Sequence, residues 1–170
     1  FSTASAAQVA SISATASSSV PSASTNYILR YTSTTTVTTG QTIKVIFSYT
    51  KSGGTDEYSL ASLTVNDVIG VAGISIITAA CGAVTANQVS ISGGISNSAG
   101  DRSVTLTACG AVAAQPIGIS FTNAHVTNPA TAGSYKIYVG GTQTDSGTAM
   151  TAILSQVTVT AAVDTTLTFT

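Results

Sequence analysis

Charge is nearly absent from this chain. Only 6% of its 170 residues are charged, five Lys and Arg against six Asp and Glu, where an ordinary soluble domain has about a quarter. The five cations, Arg30, Lys44, Lys51, Arg102 and Lys136, are scattered singly. They form no basic stripe, which excludes electrostatic binding to nucleic acid or an anionic membrane. There is no Trp, so no obvious sugar-stacking platform, and one His. No G-x-S-x-G elbow occurs, and no Cys/His cluster has metal-ligand spacing. The expectation is a protein that is not an enzyme, with no catalytic residues, metal site or cofactor. No Asn-x-Ser/Thr sequon is present, while O-glycosylation of the Ser/Thr-rich stretches stays open. The longest uncharged apolar stretch, residues 68–84, is Gly-rich and short for a membrane span. It reads as buried strands around a turn, and the chain as one that does not insert into a membrane.

Hydrophobic residues reach 44%, enough for a core, and Ser and Thr supply about a third of the chain. High hydrophobicity with little charge is the reverse of a disordered composition. Helix signals are missing, and Thr, Val, Ile and Tyr runs are punctuated by Gly, Asn and Ser. The pattern predicts an all-β fold, an antiparallel Ig-like or jelly-roll-like β-sandwich with an extended N-terminal strand. "NYILRYTSTTTV" (26–37) and "QTIKVIFSY" (41–49) read as an early hairpin, with Ile43, Val45 and Phe47 on one face. "EYSLASLTV", "GISIITA", "NQVSISG", "RSVTLTA", "PIGISFT", "SYKIYVG", "AMTAILSQVTVTAAV" and "TLTFT" follow as further strands. Domains are drawn at 1–25, a leader, and 26–170, the sandwich.

Cys81 and Cys109 are the only cysteines and occupy matching places in a short echo, "ITAACGAVTANQVSIS" and "LTACGAVAAQPIGIS". In an oxidising compartment they are expected to pair, and closing that loop contributes roughly 3–4 kcal/mol on the chain-entropy model. The alternative is two buried thiols. His125, in "TNAHVTNPATAG", is expected in a loop, as an exposed or locally hydrogen-bonded residue. The acids Asp56, Glu57, Asp67, Asp101, Asp145 and Asp164 fit turn chemistry better than a glycosidase pair. Loop calcium at Asp56/Glu57 or Asn97/Asp101 is a minor alternative without an EF-hand pattern. Lys44 and Lys136 fall on the polar phase of their strands, against a buried Lys–Asn cross-link. The Gly53-Gly54, Gly93-Gly94 and Gly140-Gly141 doublets are turn glycines, with no helix behind them to cradle phosphate.

A surface this neutral favours association, because net charge is what keeps soluble proteins apart. The leader "AAQVASISATASSSVPSAST" (6–25) looks like a linker by composition. Inside it Ile12, Ala14, Ala16, Ser18 and Val20 share one strand face, and Ser11, Ser13, Thr15, Ser17 and Ser19 the other. Residues 6–20 are therefore a candidate donor strand, able to complete the sheet of another subunit through main-chain hydrogen bonds. Segments near 68–80 and 104–121 are candidate groove walls. An edge strand within the same molecule is the alternative. Val157, Val159, Ala161, Val163, Leu167 and Phe169 alternate at the other end, which leaves open which terminus donates.

"NYILRYTSTTTVTTGQTIKVIFSY", "VTNPATAGSYKIYV" and "VTVTAAVDTTLTFT" resemble motifs of a class of secreted bacterial Ig-like surface proteins. The likeness spans most of 26–170 and implies a cell-surface or extracellular location. Strand donation is similar in architecture to the thread-type pili of archaea and to TasA-type fibres. The resulting expectation is a structural subunit of an extracellular filament whose partners are copies of itself. A monomeric adhesin or stalk module binding glycans through the 123–133 loop is the alternative.

Overall fold

The computed structural model describes residues 7–47, 57–92 and 94–155. The strands are β1 (Ala7–Gln8), β2 (Ile12–Ala16), β3 (Ser24–Thr32), β4 (Thr42–Phe47), β5 (Val68–Ala72), β6 (Ser75–Ile77), β7 (Gln88–Ser90), β8 (Ile95–Ser98), β9 (Asp101–Ala108), β10 (Pro116–Thr127), β11 (Gly133–Gly141) and β12 (Asp145–Ile153). A single 3-10 turn, Val65–Asp67, precedes β5, and no α-helix occurs among the described residues. Two sheets face each other. The larger runs β1-β12-β11-β4-β9-β7-β6, with β8 also on β9; the smaller runs β2-β3-β10-β5. The all-β sandwich expected from the strand pattern is the fold.

Period-2 alternation makes the core. Tyr27, Leu29 and Tyr31 of β3, Ile43, Val45 and Phe47 of β4, Val104 and Leu106 of β9, and Ile117, Ile119 and Phe121 of β10 are all buried. Tyr27, Phe47, Tyr58, Phe121 and Tyr135 stack edge to face at centroid separations of 5.1–5.9 Å. Each such pair adds roughly 0.5–1.5 kcal/mol beyond burial. The Tyr27 hydroxyl donates to Asn128 Oδ1 at 2.7 Å, and the Tyr58 hydroxyl is hydrogen-bonded to that of Thr151. The polar ends of these buried rings are thus satisfied.

Both open sides of the sandwich are closed by chain that leaves one sheet and enters the other. On one side β1 lies at the edge of the larger sheet and β2 at the edge of the smaller; on the opposite side β5 and β6 do the same. The outer contacts of both corners are short parallel pairs, β1 with β12 and β6 with β7.

Several strand expectations change. β3 and β4 lie in different sheets, so residues 26–47 are a crossover and not a hairpin, with 48–49 outside the described residues. The connection is held by a Val37–Val112 bridge and by the buried Asp145, which binds Ser33, Thr34 and Thr35. Residues 57–65 form no strand beyond a bridge from Ser59 to Thr127; Tyr58, Leu60 and Leu63 are buried from turns. β12 begins at Asp145 and ends at Ile153, and residues 156–170 lie outside the described chain. The 25/26 boundary falls inside β3, and the described leader is part of both sheets.

Candidate functional site

The leader slot is built from a register of main-chain bonds, small inward side chains and a buried carboxylate. β2 pairs antiparallel with β3 in five-residue register, Ile12 opposite Tyr31 through Ala16 opposite Tyr27. Ile12, Ala14 and Ala16 turn toward the core, and Ser13 and Thr15 toward solvent. Ala14 and Ala16 suit this position because their cross-strand partners Leu29 and Tyr27 already fill the core face beside them. The chain crosses between sheets at Val9–Ser11, where Val9 N–H donates to Ser146 O at 3.1 Å and Ala10 N–H to Thr32 O at 2.9 Å. Thr32 N–H returns a bond to Ser11 O at 3.0 Å. Val9 packs over Gly147 of β12: a Cβ placed on that glycine would lie 2.3 Å from Val9 Cγ2.

Asp145 anchors the floor of the slot. It is fully buried, and its carboxylate accepts from the Ser33, Thr34 and Thr35 hydroxyls and from the Thr34 and Thr35 amides. Burial by itself pushes its pKa up, but these five donors outweigh it and hold the carboxyl below the usual aspartate value. Thr34 Oγ1 also contacts Gln8 O at 3.3 Å, joining the anchored turn to β1. With five donors on two oxygens, this carboxylate has its acceptor capacity filled by the protein.

The far end of the leader is a tight connector, Ser17–Ala23. Thr25 Oγ1 accepts from Ser18 N–H at 2.8 Å, and Asn128 Nδ2 donates to Ser18 O and Val20 O at 3.0 and 2.9 Å. Pro21 lies in this connector, and Ser22 has a φ of 56°. That left-handed conformation is strained for a residue with a Cβ.

Of the five predicted donor positions, Ile12, Ala14 and Ala16 are in β2, whereas Ser18 and Val20 fall beyond its end in the connector. The slot that β2 fills belongs to its own chain, the edge-strand arrangement left open above. Its walls are β3 and β12. Residues 68–77 build the opposite corner, and the 104–121 strands, β9 and β10, are not hydrogen-bonded to β2. Val9, Asp145 and Gly147 were missed. A signal for one exists: "DSGTAMTAI" alternates, and a glycine on its inward phase marks close approach by another segment.

The remaining candidates are dispersed. Cys81 and Cys109 form a disulfide, tying the loop after β6 to the end of β9. His125 sits in β10 and not in a loop, because β10 bulges between Phe121 and Val126, where Asn123 and Ala124 have φ of 60° and 52°. The bulge aims His125 Nδ1 at Asp67 Oδ2, 2.8 Å away. Asp67 is buried and also accepts from Thr64 and Asn123; these bonds outweigh the burial that would raise its pKa and hold it well below the usual range. No hydroxyl or thiol is hydrogen-bonded to the ring's other nitrogen among the described contacts, so the pair reads as a brace for the bulge. Glu57 approaches Arg102 at 3.6 Å, Lys44 pairs with Asp101 at 3.0 Å, and Asn97 Oδ1 accepts from Leu60 N–H. Lys136 lies in β11; Lys51, Asp56 and Asp164 lie outside the described residues. Among the described residues no three His, Cys, Asp or Glu come together as metal ligands.

The fold and slot define a two-sheet β-sandwich closed on one side by its own N-terminal segment. A solved structure with a similar fold is the crystal structure of BslA, a bacterial hydrophobin. The TM-score is 0.51 at 12% identity, covering 85% of this chain and 98% of BslA. That likeness shows the fold alone. No family model matches the chain, and no curated protein matches it.

Proposed function

We propose that this chain is a secreted, non-catalytic structural protein of a bacterial surface or matrix, assembled from copies of itself through its leader. The closed sandwich is the unassembled subunit. In the assembled form the leader leaves its own slot and fills the same slot of a neighbour, giving an open filament where the relation does not close on itself. The observation that carries this reading is the leader's attachment: a two-sheet closing element joined to the sandwich body by a connector that holds Pro21 and the strained Ser22. Exchange preserves the slot contacts and relieves the connector, and strained short hinges invite exchange. The near-chargeless surface lowers the barrier to association. Location outside the cell is supported by the disulfide and by the likeness to a bacterial hydrophobin; no helix of the described residues is long and apolar enough to cross a membrane.

Negative-stain imaging of the intact protein beside a variant lacking residues 1–21 tests the reading. Polymers from the intact chain and none from the truncated one are expected. Equal assembly by both overturns leader exchange.

A further inference from the structure

We propose that Val9 and Gly147 form a size lock that selects which leader occupies the slot, and that the partner selected is the leader of a second copy of this chain. The choice of partner rests on the exchange reading above; the lock does not. Gly147 is not among the glycines with positive φ, and it lies within the regular strand β12. Backbone conformation therefore does not call for glycine there, and a strand interior favours a β-branched residue. Space does call for it, because a Cβ would stand 2.3 Å from Val9 Cγ2. The leader's main-chain contacts and its alanines select little. The bonds from Val9 N–H to Ser146 O and between β2 and β3 are main-chain bonds that any extended segment makes, and Ala14 and Ala16 admit any run of small residues. Val9 is the side chain whose size the slot measures. The slot's own walls around it, Tyr138, Ser146 and Thr148, carry no charge, so a charged foreign segment gains nothing there. A second copy brings the same valine three positions ahead of the same isoleucine.

The lock can be inverted by adding one methyl group at Gly147 and removing the two γ-methyls of Val9. In Gly147→Ala the new Cβ meets Val9 Cγ2, but the next atoms, Val9 Cβ and Ile12 Cδ1, are 3.6 Å away, an ordinary contact. Val9→Ala should therefore accept Gly147→Ala. Hydrogen exchange on the full-length chain is expected to show leader amides losing protection tenfold or more in Gly147→Ala and regaining it in Val9→Ala/Gly147→Ala. Amides of β9 and β10, unchanged throughout, report that the body is folded. Wild-type leader protection in Gly147→Ala, or no recovery in the double variant, overturns the lock. Mixing the two single variants, one isotope-labelled, tests the partner by native mass spectrometry, since the Gly147→Ala leader, which keeps Val9, is refused by its own slot and accepted by the Gly147 slot of Val9→Ala. Mixed assemblies exceeding the Gly147→Ala homo-assembly support a second copy as partner. Recovery in the double variant with no mixed assembly leaves the lock standing as an intrachain contact and overturns the exchange reading.

Discussion

The two corners of the sandwich do the same geometric work with different chemistry. The internal corner, β5 and β6, buries Val68 and Ile74 and turns at Gly73, whose φ of 69° and closeness to Pro116 O admit no Cβ. It is continuous with chain at both ends, and the Cys81–Cys109 disulfide ties down the loop beyond it. The leader corner, β1 and β2, offers only half-buried Val9, Ile12, Ala14 and Ala16 and relies on main-chain bonds. Each corner also sets a valine against a sheet glycine: Val9 over Gly147 and Val71 over Gly118, at 2.3 and 2.8 Å from the would-be Cβ. Closure of a sandwich thus does not demand uniform stability. The corner whose apolar side chains are only half-buried should open at lower free energy, as the proposed exchange requires.

The largest effect on this contrast should come from Asp145→Ala. It leaves the Ser33, Thr34 and Thr35 donors without the buried acceptor that holds the turn meeting β1, each bond to the charged group being worth about 1.5–3 kcal/mol, and leader amides should lose protection before those of β5 in hydrogen exchange. Replacing Cys81 and Cys109 together by Ala should act on the other side, lowering stability by roughly 3–4 kcal/mol on the chain-entropy model. Urea unfolding would measure the loss, and exchange should be faster in the 75–90 region while the leader keeps its rank. Gly73→Ala should cost about 2 kcal/mol from left-handed strain plus the clash with Pro116 O. Gly40→Ala, with φ of 84° but open space around it, should cost less, separating strain from crowding in thermal melts.

Acid should act most gently. The folded-state pKa of Asp145 lies below its ordinary value of 3.8, so its contribution is complete above that value and is lost as pH falls through the folded pKa. Leader protection should be level from neutral pH down to about 5 and decline below about 4, and Asp145→Asn should flatten that limb.

Much of the fold was legible because strand alternation reports directly on which side chains face the core. Ile43, Val45 and Phe47 lie buried on one face as their spacing implied. The 26–49 hairpin failed because alternation is silent on which sheet a strand joins; a buried carboxylate 110 positions beyond Thr35 holds the turn that sends β4 across. His125 was misplaced for a related reason, since the bulge that puts it on Asp67 needs left-handed Asn123 and Ala124, and alanine gives no turn signal. In the leader, Ile12, Ala14 and Ala16 followed from period 2. Ser18 and Val20 continued that phase only on paper, because Thr25 and Asn128 capture the backbone after Ala16. Val9 was invisible because its partner, Gly147, is distant in sequence and has no side chain to announce it.

Whether the leader fills its own slot or a neighbour's is read most directly by a cysteine pair across the β2–β3 register. Ser13 and Arg30 are opposite one another and exposed, so Ser13→Cys/Arg30→Cys leaves the core untouched. Oxidation of assembled material, followed by non-reducing electrophoresis, should give a ladder of covalent oligomers, while freshly isolated subunits give cross-linked monomers. Monomers alone from assembled material would contradict the account.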